Sequence, residues 1–201
     1  EVNPSDSFQT QMLQSDMLSW ACRLGHVHCR NMSLSLYRRW MADPSGFHNI
    51  SSNLVLIVGC TAVEAGGEAE WNFAWSQPQL KDVLGCTREL WLLMRYLDGG
   101  FNASTGIRRQ DAAITFRRVA RRPLGAILAW DYMRAKWPHI ADYIGTAFFS
   151  LPRMVEDVTS SFNTHQQLQE LEDFERQYRS QLLTATTAVQ QGVEGARINL
   201  A

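Results

Sequence analysis

Neither sign of charge is in excess: 19 Lys and Arg stand against 20 Asp and Glu, for a formal charge of -1. No electrostatic footprint therefore favours nucleic acid or an anionic membrane surface. Long apolar runs are missing too, and a stretch such as Leu54 to Val58 falls far short of the roughly 20 residues a helix needs to cross a bilayer. The sustained period-two alternation of half-buried strands occurs nowhere. Four cysteines, Cys22, Cys29, Cys60 and Cys86, include no Cys-x-x-Cys spacing, which argues against a zinc ribbon or a thiol redox motif. The chain opens on Glu1 rather than Met, without a basic-then-apolar leader, so a processed or partial chain with something before Glu1 is expected.

What is present is ample core material: 201 residues, 45% hydrophobic, with seven Trp. Most of it reads as helix, punctuated by Gly, Pro, Asn and Asp. A first hairpin is predicted from Phe8 to Leu24, turning at Gly25, and Cys29 to Ala42, closed by Asp43-Pro44-Ser45-Gly46. Ser52 to Ala65 could hold a buried strand at Leu54 to Val58, but the apolar pattern continues through Cys60, Ala62 and Val63, which favours helix. Gly66-Gly67 ends it. Helices at Glu68 to Gln77 and Thr87 to Leu97 follow, linked by a short piece starting at Pro78 and closed by Asp98-Gly99-Gly100. Further on, Arg108 to Arg121 is expected to be helical, and Pro123 and Pro138 suit the first turns of later helices. Leu151 to Thr159 is a short helix, Thr164 and Gln167 form a capping box, and an amphipathic segment runs from Gln181. About ten short helices with brief turns fit an all-α fold, an α-solenoid of stacked antiparallel hairpins in the HEAT or armadillo manner, with residues 1–201 as one domain.

The motifs lie in a recognisable order. A Gly-Gly pair opens the helix carrying Trp71 and Trp75. Ile107-Arg108-Arg109-Gln110-Asp111 comes next, then Arg121-Arg122-Pro123-Leu124-Gly125, Leu128-Ala129-Trp130-Asp131-Tyr132 and Lys136-Trp137. With these the chain resembles the C-terminal helical domain of zinc aminopeptidases of the aminopeptidase N family, from about Asp16 to Asn199 and most densely between Cys60 and Trp137. The resemblance implies an ectoenzyme, membrane-anchored or released, that removes N-terminal residues from peptides with one zinc. This chain would then be most of a lid that covers the active site. Its partners would be the catalytic domain of the same enzyme, peptide substrates and a possible homodimer mate, with no nucleic acid and no membrane contact by this chain. The alternative is a free-standing secreted helical module, derived from an aminopeptidase, that holds a peptide or protein partner.

The chemistry of such an enzyme needs His-Glu-x-x-His and a third, distant Glu. His26, His28, His48, His139 and His165 include no such pair, and the family's Gly-Ala-Met-Glu-Asn segment is absent as well. No catalytic or metal-ligating residue is assigned here, no cofactor is expected in this chain, and zinc would belong to the parent enzyme. His26, His28 and Cys29 do not converge on one helical face.

The family carries cysteine pairs that match Cys22 with Cys29 and Cys60 with Cys86; the alternative is four free buried thiols. The segment from Gln77 to Cys86 is shorter than the family's, which bears on the geometry of the second pair. Sequons at Asn31, Asn49 and Asn102, together with paired cysteines, favour an oxidising secretory route and an extracellular or cell-surface location. Trp71, Trp75, Trp91, Trp130 and Trp137 read as core rather than as an aromatic binding box, Trp71 and Trp75 sharing a face at i, i+4. Arg108, Arg109, Arg117, Arg118, Arg121 and Arg122 are either a solvated face with weak ion pairs or, as the resemblance suggests, contacts for a peptide's carboxylate or carbonyls. Gln110 and Asp111 are expected to cap or brace their helix, and Glu64, Glu68 and Glu70 to sit favourably beside a helix N-terminus.

Overall fold

Ser7 starts the first helix in the computed structural model, which describes residues 5–44, 50–145 and 150–200. Its hydroxyl accepts the Thr10 amide at 3.2 Å, and α1 (Phe8–Arg23) runs from there to a turn at Gly25, which adopts a φ of +82°. A left-handed residue reverses the chain within so few positions that α2 (Val27–Ala42) begins two residues ahead of the expected Cys29. The Cys22–Cys29 disulfide spans this turn with Cα atoms 5.2 Å apart. The Ser45-Gly46 part of the expected stop, with His48 and Asn49, lies outside the described residues.

The apolar run after Ser51 is helical. A 3₁₀ turn at Ser52–Leu54 leads into α3 (Val55–Ala65), where Leu54, Val55, Val58 and Ala62 are buried while Leu56 is half exposed. That is the spacing of one helical face, which a strand could not produce. α4 (Glu68–Ser76) follows, and the piece from Pro78 to Cys86 is a nine-residue 3₁₀ helix burying Leu80, Val83 and Leu84. Such runs are uncommon beyond three or four residues. This one is held at its end by the Cys60–Cys86 disulfide, Cα atoms 5.3 Å apart, and by Trp71 Nε1, which donates to the Leu84 carbonyl at 3.2 Å.

α5 (Leu90–Gly100) corrects the expected Thr87 to Leu97. Thr87 is extended, and its hydroxyl accepts the Glu89 amide, so the helix enters later. At the far end Gly99-Gly100 continue the helix instead of stopping it. A Cβ on Gly100 would stand 2.8 Å from the Thr115 side chain, so this glycine serves close packing.

The predicted Arg108 to Arg121 helix also starts late: Arg109–Asp111 is a 3₁₀ turn and α6 is Ala112–Ala120. α7 (Pro123–Ile144) has Pro123 in its first turn and a break at Lys136, with φ -121° and ψ 18°, two residues before Pro138. Proline lacks the amide that would continue the ladder and crowds the preceding turn, so α7 is kinked there. α8 (Ser150–Thr159) and α9 (His165–Tyr178) follow, the latter opened by the Thr164 and Gln167 capping box. The terminal segment is two 3₁₀ turns, Arg179–Gln181 and Leu183–Ala185, and then α10 (Thr186–Leu200).

Regular structure among the described residues is helical, with no strand, so the chain is all-α. Packing divides it into two compact units, Glu1–Leu92 and Leu93–Ala201, with the division inside α5. In the first, α1 packs on α2 and α3, and α2 on α3 and α4. In the second, α6 packs on α7 and α8, and α10 on α8 and α9. Contact with the next helix and the one after is how stacked hairpins bury their faces.

The first unit's core is aromatic. Tyr37, Trp40 and Phe73 meet edge to face with ring centres 5.4 to 5.9 Å apart, and Trp71 stacks on Trp75 at 5.0 Å. Trp91 departs from the core reading, being 50% exposed. Inside this core lies one carboxylate, Glu70, only 7% exposed. It accepts the Gly67 amide at 3.0 Å and Arg38 Nε at 3.3 Å, while the buried Tyr37 hydroxyl donates to the Glu70 carbonyl at 3.0 Å. Burial alone would raise the Glu70 pKa, but the hydrogen bonds from Gly67, its own amide and Arg38, with the Arg38 charge, hold it below the usual carboxylate range. Burial and the Glu70 charge push the Tyr37 hydroxyl up.

Two outcomes are expected. Because the folded Glu70 pKa is depressed, its stabilisation is complete above the unfolded carboxylate value of about 4.3 and is lost as pH falls through the folded value. Glu70→Gln should therefore cost about 1–3 kcal/mol at pH 7 and flatten the acid limb below about pH 4 in thermal melts. In denaturant titrations, opening Cys60–Cys86 by Cys→Ser pairs should cost about 3.5 kcal/mol and opening Cys22–Cys29 about 2.5 kcal/mol, the longer loop mattering more.

Candidate functional site

The arginine cluster lies in the second unit, and the structure distributes it among separate partners. Arg108 Nε donates to Asp111 Oδ2 at 2.7 Å, so Asp111 braces the turn through its side chain rather than capping α6. Arg109 donates to the carbonyls of Tyr143 and Asp142 and lies over the Tyr143 ring, a cation closing the negative end of α7. Arg117 and Arg121 share Asp157 of α8, a carboxylate only 11% exposed, with Arg121 Nε 3.0 Å from Oδ1. Arg118 and Arg122 are half-buried and have contacts of their own. Arg117 and Arg121 thus tie α6 to α8, and Arg109 ties the turn before α6 to the end of α7; Arg108 and Arg121 have side chains 70% and 63% exposed, and Arg109 is exposed as well.

A groove of 610 Å³ opens elsewhere in this unit, between the first half of α7, the α8–α9 turn and the start of α9. Pro123, Ile127 and Phe162 give it an apolar end, and Trp130, Arg134 and Glu170 a polar one. Trp130 Nε1 donates to Glu170 Oε2 at 2.9 Å, Gln166 Nε2 to Oε1 at 3.0 Å, and Arg134 stands 3.3 Å from Oε2. Arg134 also donates to Asp131 at 2.6 Å and lies over the Trp130 ring. Partial burial works to raise the Glu170 pKa, but the two hydrogen bonds and the Arg134 charge more than offset it, leaving a carboxylate that stays ionised. Such a site can bind; an ionised carboxylate held by Trp130, Gln166 and Arg134 is poorly placed for proton transfer. Sequence reasoning named Trp130 through its motif but missed Arg134 and Glu170. Arg134 carried a local signal, standing i+3 from Asp131 and i+4 from Trp130; Glu170 carried none.

The remaining candidates are dispersed. Cys29 is in a disulfide and has no thiolate for a metal, and among the described residues no three His, Cys, Asp or Glu gather to hold one. Zinc has no donor set there. Asn31 is exposed within α2, followed at Ser33 by a fully buried hydroxyl residue. Asn102 is exposed in a turn where its Oδ1 accepts the Ser104 amide at 3.0 Å.

Comparison with known proteins gives this geometry a family. Residues 1–198 match the ERAP1-like C-terminal domain. Aminopeptidase N of Oryctolagus cuniculus is 34% identical over 97% of this chain and 21% of its own length. Aminopeptidase N of Homo sapiens is 32% identical over the same shares. A thyrotropin-releasing hormone-degrading ectoenzyme of Rattus norvegicus is 29% identical over 96% of this chain and 19% of its own. The chain therefore spans about a fifth of the relatives it matches. With an all-α fold and a match along nearly its whole length, the chain belongs to the ERAP1-like C-terminal domain family, as a C-terminal domain of aminopeptidase N-like enzymes.

Proposed function

We propose that residues 1–201 act together as the non-catalytic lid of a zinc aminopeptidase, covering a chamber in which a catalytic domain of the same enzyme removes N-terminal residues from peptides. The observation that carries this reading is a whole-chain match to the C-terminal domain combined with a sequence that contains no His-Glu-x-x-His. Zinc and the residues that activate water then belong to the catalytic domain, and this chain's contribution is to shape entry and hold the peptide.

In this role Arg108 and Arg121 are the members of the cluster that reach a peptide's carboxylate or carbonyls, since their guanidinium groups keep surface beyond their intramolecular pairs. Two disulfides and sequons whose asparagines, Asn31 and Asn102, are exposed support a route through an oxidising compartment to the cell surface or exterior. Pairing of two such enzymes through this domain belongs to the same reading.

The intact mass of the native polypeptide, reduced and deglycosylated, tests it. A mass several times 22.9 kDa is expected; one near 22.9 kDa would overturn the lid reading in favour of a free-standing binding module. In the full enzyme, Arg108→Ala with Arg121→Ala should raise KM about 3- to 10-fold for peptides of several residues, with kcat little changed and a smaller effect on single-residue anilides.

A further inference from the structure

The groove between α7 and α9 has a chemistry that the lid reading does not use. One side of it is a stripe on α7, Pro123, Ile127, Trp130, Asp131 and Arg134, which runs for about 16 Å at about 1.5 Å per residue. Its first part is apolar and open. Ile127 is 68% exposed and Leu124, three residues before it, 54%, while Trp130 and Phe162 are buried and meet edge to face with ring centres 5.2 Å apart. One turn beyond Ile127 the character changes. Among the described residues lining the groove, the charged ones are Asp131, Glu170 and Arg134, two carboxylates to one guanidinium. Arg134 engages Asp131 through Oδ1, and 55% of the Asp131 side chain stays exposed. The amino end of α9 would draw an anion, but its own cap closes it: the Thr164 hydroxyl accepts the Gln167 amide, and Gln167 Oε1 the Thr164 amide, both at 3.2 Å. The groove therefore favours a cation one turn away from an open apolar surface.

We infer that this groove binds an extended peptide segment in which an apolar residue stands two positions from a lysine or arginine. The apolar side chain covers Leu124 and Ile127, and the cation meets Asp131. Ile127 and Asp131 are one helical turn apart, about 6 Å along the axis, and side chains on one face of an extended chain repeat every two residues, about 6.6 Å. The spacing selects a side-chain cation, because an apolar residue's own α-amino group lies closer than that. A stripe of this length accommodates about five residues. The site lies within the second unit, so it serves whether the chain is a lid or a free-standing module.

Calorimetric titration of the native polypeptide carrying these residues tests the inference. The probe is acetyl-Gly-Leu-Ala-Arg-Gly-amide, whose blocked ends keep it from being a substrate for removal of N-terminal residues. Saturable binding with a dissociation constant below about 1 mM is expected. Glutamate in place of the probe's arginine should weaken binding at least about fivefold, as should raising the ionic strength from about 0.05 to about 0.5 M. Asp131→Asn should cost about 3- to 10-fold in affinity and Ile127→Ser about 3-fold, and both sites are exposed enough that thermal melts should stay within a few degrees. No saturation by about 5 mM would overturn the inference, as would equal binding of the glutamate probe or an affinity that neither substitution changes. Binding by a native polypeptide of mass near 22.9 kDa removes the lid reading and leaves this inference standing, whereas a much larger polypeptide that does not bind removes this inference alone.

Discussion

Short helices must borrow their stability. Apart from the kinked α7, none of the described helices exceeds 16 residues, near the length at which an isolated helix is marginal in water. They are held by packing on one another, as α2 does on α3 and α4 and α6 on α7 and α8, so within each unit the helices depend on their neighbours. The disulfides act on the same constraint. One closes the first hairpin, and the other ties α3 to the end of a long 3₁₀ segment that would be strained in isolation.

The most buried carboxylates described here are each met by more than one donor. Glu70 is tolerated beneath an aromatic cluster because Gly67 and Arg38 both donate to it, and Asp157 because two arginines share it. Glu170 follows the same rule at the edge of a groove, with Trp130, Gln166 and Arg134 around it. These clusters fix which helix meets which, since a buried charge without its partners costs several kcal/mol, about 3–5 when one partner of a pair is removed. They orient and hold, which is compatible with the lid role proposed above.

Much of this was legible beforehand. Helical periodicity, the Thr164 and Pro123 starts and the turn at Gly25 are local, and local rules placed most helices to within a few residues. The misplacements have tertiary causes. The α5 glycines looked like a stop and instead serve close packing against Thr115, and the arginine-rich segment looked helical throughout although Arg108 and Arg109 are drawn to Asp111 and the end of α7. The groove was half legible, because Trp130 and Arg134 share a helical face whereas Glu170 reaches them from 40 residues away.

By itself, then, the sequence determined an all-α chain, the positions of its cysteines, the absence of a zinc-binding helix and its family, because periodicity, spacing and motif order are properties of neighbouring residues. Only the tertiary structure decided which arginines are spent on Asp157 and which keep surface, that Glu70 is buried and ionised, and that Leu13, Met17 and Trp20 of α1 are exposed. Those outcomes depend on pairs separated by 32 to 40 residues and on which face of a helix finds a neighbour. No local pattern encodes either.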